Sequence, residues 1–174
     1  MIPLTKQFEE RCRQLYPSLY RTAMRVVGDR EVAEDVLQEA LVKAYQALDK
    51  LHNWDHLAGW LQRITVREAM AALRVKKLWR GRNIKLEENM VAGKSDPVEE
   101  TELREQQHMI WQQLDLLSPR QRTAFILCAV EERSIRDAAD CMGISEGAVK
   151  QHLQRGREKL RRKLTKFLAY DGGK

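Results

Sequence analysis

Apolar residues recur at helical spacing along nearly the whole chain. Phe8, Leu15, Leu19, Ala23 and Val26 form one stripe and predict a helix from about Lys6 to Val27. Gly28 is a natural stop, and Asp29 a natural cap for the next helix. That second helix has Val32, Val36, Leu37, Ala40, Leu41, Ala44, Tyr45 and Leu48 on its apolar side. Asp35, Gln38, Glu39, Lys43 and Gln46 occupy the other side. A short loop, Leu51–Leu57, holds Asn53, Trp54, Asp55 and His56. A third helix follows from about Ala58 to Trp79, with Trp60, Leu61, Ile64, Ala71, Ala72 and Val75 as apolar positions. Trp60 therefore reads as core. Trp54 reads as a loop tryptophan covering the core, with a nucleic-acid or partner contact as its alternative.

The pattern breaks at about Gly81–Glu100, where Gly81, Gly93 and Pro97 fall in a stretch poor in apolar residues. This predicts a linker. Asp96-Pro97-Val98-Glu99 then reads as a helix start, with a cap, a proline suited to the first turn and a reciprocal acid. Ser118-Pro119-Arg120-Gln121 repeats that logic, and Ser134-Ile135-Arg136-Asp137 is a third start. The apolar run Thr123–Val130 resembles a strand but sits inside a longer helical pattern.

The segment from Ser134 to Lys163 carries the most information. A short helix, Ile135–Cys141, meets a tight turn at Met142-Gly143-Ile144, and Ser145 caps a second helix from Glu146 to about Lys163. Gly143 takes a left-handed backbone at little cost. Ala138, Ala139, Ile144, Val149 and Leu153 supply the small and apolar contacts of two closely crossing helices. This is the spacing of a helix-turn-helix, whose second helix enters the DNA major groove. The fold expected is all-α: two small helical domains, 1–80 and 101–174, joined by a flexible linker at 81–100, with the C-terminal domain a helix-turn-helix.

Composition narrows the function. Hydrophobic residues make up 43% of the 174, enough for a core, and no apolar run reaches the length of a membrane span. The first residues lack a signal-peptide centre, so a cytoplasmic chain with no direct membrane insertion is expected. Cys12, Cys128 and Cys141 are too few and too widely spaced for a disulfide framework or a zinc site. The net charge of +6 is uneven: residues 1–80 carry +4, residues 81–117 carry -4 and residues 118–174 carry +6. Basic ends flanking an acidic middle suit a polyanionic partner. Arg63, Arg67, Met70, Arg74 and Lys77 fall on one helical stripe, which reads as surface. Lys150, Gln151, Gln154 and Arg155 lie in the first turns of the last helix, and eight cations fall between Lys150 and Lys166. Such side chains hold phosphates and read base edges.

Enzyme chemistry finds little support. Gly93-Lys94-Ser95 is similar to the end of a phosphate-binding loop, but Glu88 stands where the first glycine is needed and no strand precedes it. His52 and His56 have no third ligand in view. No catalytic residue, metal or cofactor is expected.

Four motifs then resemble one family. Glu34-Asp35-Val36-Leu37-Gln38-Glu39-Ala40 resembles the acidic polymerase-binding segment of bacterial sigma factors of the extracytoplasmic-function (ECF) class. Gly59-Trp60-Leu61-Gln62-Arg63-Ile64, running on to Ala72-Leu73-Arg74, resembles their -10 recognition helix. Leu117-Ser118-Pro119-Arg120-Gln121-Arg122 and Gly143-Ile144-Ser145-Glu146-Gly147-Ala148-Val149-Lys150 resemble region 4, the -35 reader. The four stand in the family's order and cover nearly the whole chain. The resemblance implies that Asp35, Gln38 and Glu39 contact the clamp helices of core RNA polymerase. It implies that Asn53, Trp54, Asp55 and His56 help capture a flipped base of promoter DNA, with Arg63, Arg67, Arg74 and Lys77 along the -10 side. Lys150, Gln151, Gln154, Arg155 and Arg157 would face the -35 groove. It also implies control by a membrane-linked anti-sigma factor.

The competing reading is a conventional helix-turn-helix regulator that does not join polymerase. The basic stripe and the Asp35, Gln38 and Glu39 face argue against it. The linker adds an expectation. About 20 residues span at most ~70 Å when extended but average only ~25 Å when relaxed. The two promoter elements lie roughly 70 Å apart. The domains should therefore separate, and the linker extend, when polymerase binds.

Overall fold

The computed structural model describes the backbone of residues 4–82 and 112–171, with side chains over 5–78 and 112–163. Every regular element among the described residues is helical. Residues 83–100 of the expected linker, the start at Asp96 and the Gly93-Lys94-Ser95 motif lie outside them, as does the side chain of Trp79; the linker's first two positions, Gly81 and Arg82, are helical instead, because the preceding helix runs on through them.

The N-terminal lobe is three long helices. The first, α1 (Leu4–Val27), stops at Gly28, whose φ of 71° is left-handed. Asp29 then caps α2 (Arg30–Gln46) in extended conformation, its carboxylate accepting the Val32 amide at 3.2 Å. Ala33, Val36, Leu37, Ala40 and Ala44 of α2 are buried. Tyr45, expected on that buried side, is 52% exposed, because it lies at the margin of the stripe, its ring tilted against Phe8 with centroids 6.0 Å apart. The segment expected as a loop is a short turn, Trp54–His56, held by the Asn53 side chain accepting the Asp55 amide at 2.8 Å. Leu57 is buried and opens α3 (Leu57–Arg82). Val75 of α3, another expected core position, is exposed.

In the C-terminal lobe two short helices and one long one are each opened by a serine. Ser118 caps α4 (Pro119–Phe125) in a reciprocal box: its hydroxyl accepts the Gln121 amide and its own amide donates to Gln121 Oε1. The strand-like run proves helical and widens over Ile126–Val130 into a turn in which the Glu131 amide reaches back to Ile126 O at 2.9 Å. Ser134 caps α5 (Ile135–Met142) by accepting the Asp137 amide at 3.0 Å. Gly143 ends it at φ 65°, and the Ile144 amide closes onto Ala139 O at 3.1 Å. Ser145 caps α6 (Glu146–Asp171) through the Ala148 amide at 3.2 Å. This last helix runs past the Lys163 expected.

The lobes share their core. Leu114, Leu117 and Ile126 pack with Ala23, Val26 and Leu73 of the N-terminal lobe. Val66 and Met70 of α3 pack with Ala124, Leu127 and Ala138 of the C-terminal lobe. This corrects the reading of the Arg63 to Lys77 stripe as wholly surface: Met70 within it is only 4% exposed. A single apolar residue in a cationic row gives no local signal that a distant segment covers it.

Candidate nucleic-acid interface

The helix-turn-helix presents α6 outward. Val149 and Leu153 seat it on α5, burying its inner face. Lys150, Gln151, Gln154, Arg155 and Arg157 are all exposed on the outer surface. At 100° per residue they divide into two rows. Lys150, Gln154, Arg157 and Arg161 line one shallow groove, with Leu153 and Glu158 completing it. Gln154 Nε2 donates to Glu158 Oε1 at 3.2 Å, which orients its amide along the groove. Gln151 and Arg155 form the second row, and Arg155 stands near His152. His152 has its pKa lowered, first by burial and then by the charges of Arg120 and Arg155. It is thus neutral at pH 7 while cations stand around it. Arg120 is a further candidate that the sequence reading does not single out as a site residue. Its place in the first turn of α4, beside a capping serine, is the signal that could have found it.

The α3 side is more divided. Arg63, Arg67, Arg74 and Lys77 are exposed. Arg63 and Arg74 fold back so that each Nε donates to the carbonyl four residues earlier, at 3.3 Å in both cases. The Arg67 guanidinium lies over Gly143 of the other lobe, so close that a Cβ there would stand 2.9 Å from Nη2. Of the preceding turn, Asp55 and His56 are exposed, Asn53 has its side-chain oxygen engaged in the cap, and Trp54 is half-buried against the N-terminal core.

On α2, Asp35, Gln38 and Glu39 are exposed together. Glu39 pairs with Lys43 Nζ at 3.2 Å, and Lys43 reaches on to Glu68 of α3 at 2.8 Å. Hydrogen bonds from Glu68 and then Glu39 push the Lys43 pKa up, so the ammonium is fixed in its charged form. Val42 and Tyr45 continue the Asp35 and Gln38 row toward the helix end, 45% and 52% exposed. Exposed apolar groups continuous with a polar row are the composition of a protein-docking face. Periodicity places Tyr45 in the core instead, so neither residue is expected on this face from the sequence.

Comparison with known proteins follows the same two lobes. The family description of sigma-70 region 2 matches residues 12–78, and that of sigma-70 region 4 matches residues 107–160. The RNA polymerase sigma factor SigV of Bacillus subtilis is 31% identical, with 84% of each chain covered. The ECF RNA polymerase sigma factor SigW of the same organism is 27% identical over 84% of this chain and 82% of its own. Among solved structures, the sigma factor RpoE of Bartonella quintana, in complex with the anti-sigma factor NepR, superposes with a TM-score of 0.64 at 26% identity. That superposition covers 92% of this chain and 98% of RpoE. The matched regions in order, and the relative aligned along most of both chains, establish that this protein belongs to the sigma-70 family of RNA polymerase sigma factors, in its extracytoplasmic-function class.

Proposed function

We propose that the chain divides a sigma factor's work by helix face. The outer row of α2, Asp35, Gln38 and Glu39 with Val42 and Tyr45, docks on core RNA polymerase. Residues 1–80 form the unit that does this and that reads the -10 element; residues 81–100 link it to the -35 reader at 101–174. Lys150, Gln151, Gln154, Arg155 and Arg157 enter the -35 major groove, and Arg120 holds an adjacent phosphate. Arg63, Arg67, Arg74 and Lys77 follow the -10 backbone, while Asn53, Trp54, Asp55 and His56 form the wall against which a displaced base is held.

The energetics suit this division. Extruding a base costs a few kcal/mol. Each phosphate neutralised releases a counterion, and a good base-edge contact discriminates by about 1–3 kcal/mol. A handful of cations and two amides therefore offset the opening of a short stretch. The observation that carries the reading is the open α6 groove on a capped helix-turn-helix, in the same chain as the α2 row. The Bartonella quintana neighbour, held by an anti-sigma factor, supports control of this chain by an anti-sigma partner, one linked to the membrane, with the sigma factor itself working in the cytoplasm and carrying no catalytic chemistry.

Run-off transcription with purified core polymerase on a randomised promoter library tests the proposal. The expected result is initiation from a subset of templates sharing two elements about two helical turns apart. Sequence-specific duplex binding by the chain alone, with no initiation when core is added, would instead identify a conventional regulator.

A further inference from the structure

A chain of buried polar groups crosses from one lobe to the other. Gln62 of α3 donates its amide to Thr22 Oγ1 of α1 at 2.9 Å, and both side chains are buried. The Thr22 hydroxyl donates in turn to Glu131 Oε1 of the C-terminal lobe, also at 2.9 Å. The Glu131 side chain is only 7% exposed. Arg25 of α1 approaches Oε1 at 3.5 Å, and Arg133 Nε donates to Oε2 at 2.9 Å. A buried carboxylate is tolerated only when its charge is met. Here one cation comes from each lobe. All five groups are readily hydrated, so this contact, unlike a purely apolar one, can open without exposing apolar surface to water.

The local backbone is shaped to deliver Glu131. The widened turn after α4 ends with the Arg133 amide on Leu127 O at 2.9 Å, and Glu132 sits at φ 54°. That conformation is uncommon for a residue with a Cβ. Strain of this kind persists where surrounding contacts impose it, and the contacts here are the turn's own backbone bonds together with those of Glu131 on α1. Arg133 also ties this network to the helix-turn-helix, its Nη1 donating to Cys141 Sγ of α5 at 3.8 Å. When the lobes close in this way, Met70 and Val66 are covered and Arg67 lies on Gly143. The face of α3 assigned above to the -10 element is then partly occupied. The closed chain is also too small to reach both promoter elements. A compact chain of this length has a radius of gyration of about 16 Å, against roughly 70 Å between the elements.

We propose that Glu131, seated on Thr22 and Arg25 with Gln62 behind Thr22, is the latch of an autoinhibitory clasp that holds the C-terminal lobe over α3 until polymerase draws the lobes apart. The inference rests on the assignment of α3 to promoter DNA made under Proposed function. A protein that binds only when open has its apparent affinity reduced by the open fraction. Weakening the latch therefore tightens binding to polymerase.

The test uses the full chain carrying fluorophores at Asp49 and Arg162, both exposed, introduced as unnatural amino acids. Two variants come from opposite lobes: Glu131→Gln, which keeps the shape and removes the charge, and Thr22→Val, which keeps the shape and removes the bridging hydroxyl. Circular dichroism confirms that each folds. The free wild type should show a short inter-label distance. Each variant should shift the population to longer distances and bind core polymerase about tenfold more tightly. A long distance in the free wild type, or unchanged distances in both variants, would overturn the clasp. Longer distances without tighter binding would overturn its inhibitory role. If no form binds core polymerase, the polymerase assignment falls and the inhibitory role with it, while the label distances still report whether the latch exists.

Discussion

The two lobes reach a folded state by different routes. The N-terminal lobe is made of helices of 24, 17 and 26 residues, long enough to bury a continuous apolar stripe against one another. The C-terminal lobe has an α4 of seven residues and an α5 of eight. Helices that short do not persist alone in water. They depend on the Ser118 and Ser134 caps at their starts and on core borrowed from the other lobe through Val66, Met70 and Leu73. A lobe of short helices offers a precisely set outer helix for DNA, but it leans on its neighbour when it is not on DNA.

The largest expected effect separates the lobes by function. Asp35→Lys should weaken core-polymerase binding about tenfold to a hundredfold and leave affinity for a -35 duplex unchanged. Lys150→Glu should do the reverse, at about 1–3 kcal/mol, and lower the salt slope of DNA binding by about one. Parallel titrations check both. Equal losses in both assays for either variant would erase the functional contrast between lobes.

Stability sharpens the contrast next. Leu37→Ala, wholly within the N-terminal core, and Leu127→Ala, packed against Val66 and Met70, should each cost about 2–5 kcal/mol. Because the cores are continuous, calorimetry on the free chain should show one transition in both variants. Two resolved transitions would mean that the lobes fold independently. A smaller effect is expected at the turn. Gly143→Ala introduces a Cβ at φ 65° and 2.9 Å from Arg67 Nη2, costing about 1–2 kcal/mol by chemical denaturation. Adding Arg67→Ala should relieve the collision but not the backbone strain.

The smallest effect is a pH dependence in the N-terminal core. Burial pushes the Cys12 thiol up from 9.0 to about 11. The folded chain thus holds this proton more tightly than the unfolded chain. Its contribution to stability is complete below pH 9 and is lost as pH rises through about 11. Thermal midpoints across that window should fall in the wild type and fall less in Cys12→Ala.

The sequence made some of this legible and hid the rest for physical reasons. Capping and stop chemistry is local, so Gly28, Asp29, Ser118, Ser134, Gly143 and Ser145 can be read directly, and each stands in its expected place. Periodicity tells which face of a helix is apolar, but not where that face ends. Tyr45 and Val75 lie at stripe margins and are exposed. Nor does it tell what covers an isolated apolar residue, which is why Met70 reads as surface. Glu131 carries no local sign of burial, and only the approach of α1 makes it part of a buried network with Thr22 and Arg133. The candidate site shows the same limit. Outer faces of α2 and α6 follow from helical spacing, whereas the covering of α3 depends on contacts between segments far apart in sequence, such as Met70 with Leu127.

The central claim is that this chain opens and captures the -10 element only as part of the polymerase. The most direct measurement places 2-aminopurine in the non-template strand of a -10 element and follows its fluorescence as chain and core polymerase are added separately and together. The account predicts an increase only when both are present, lost with Asp35→Lys. An increase from the chain alone, or none with the two combined on a promoter that the library selected, would contradict it.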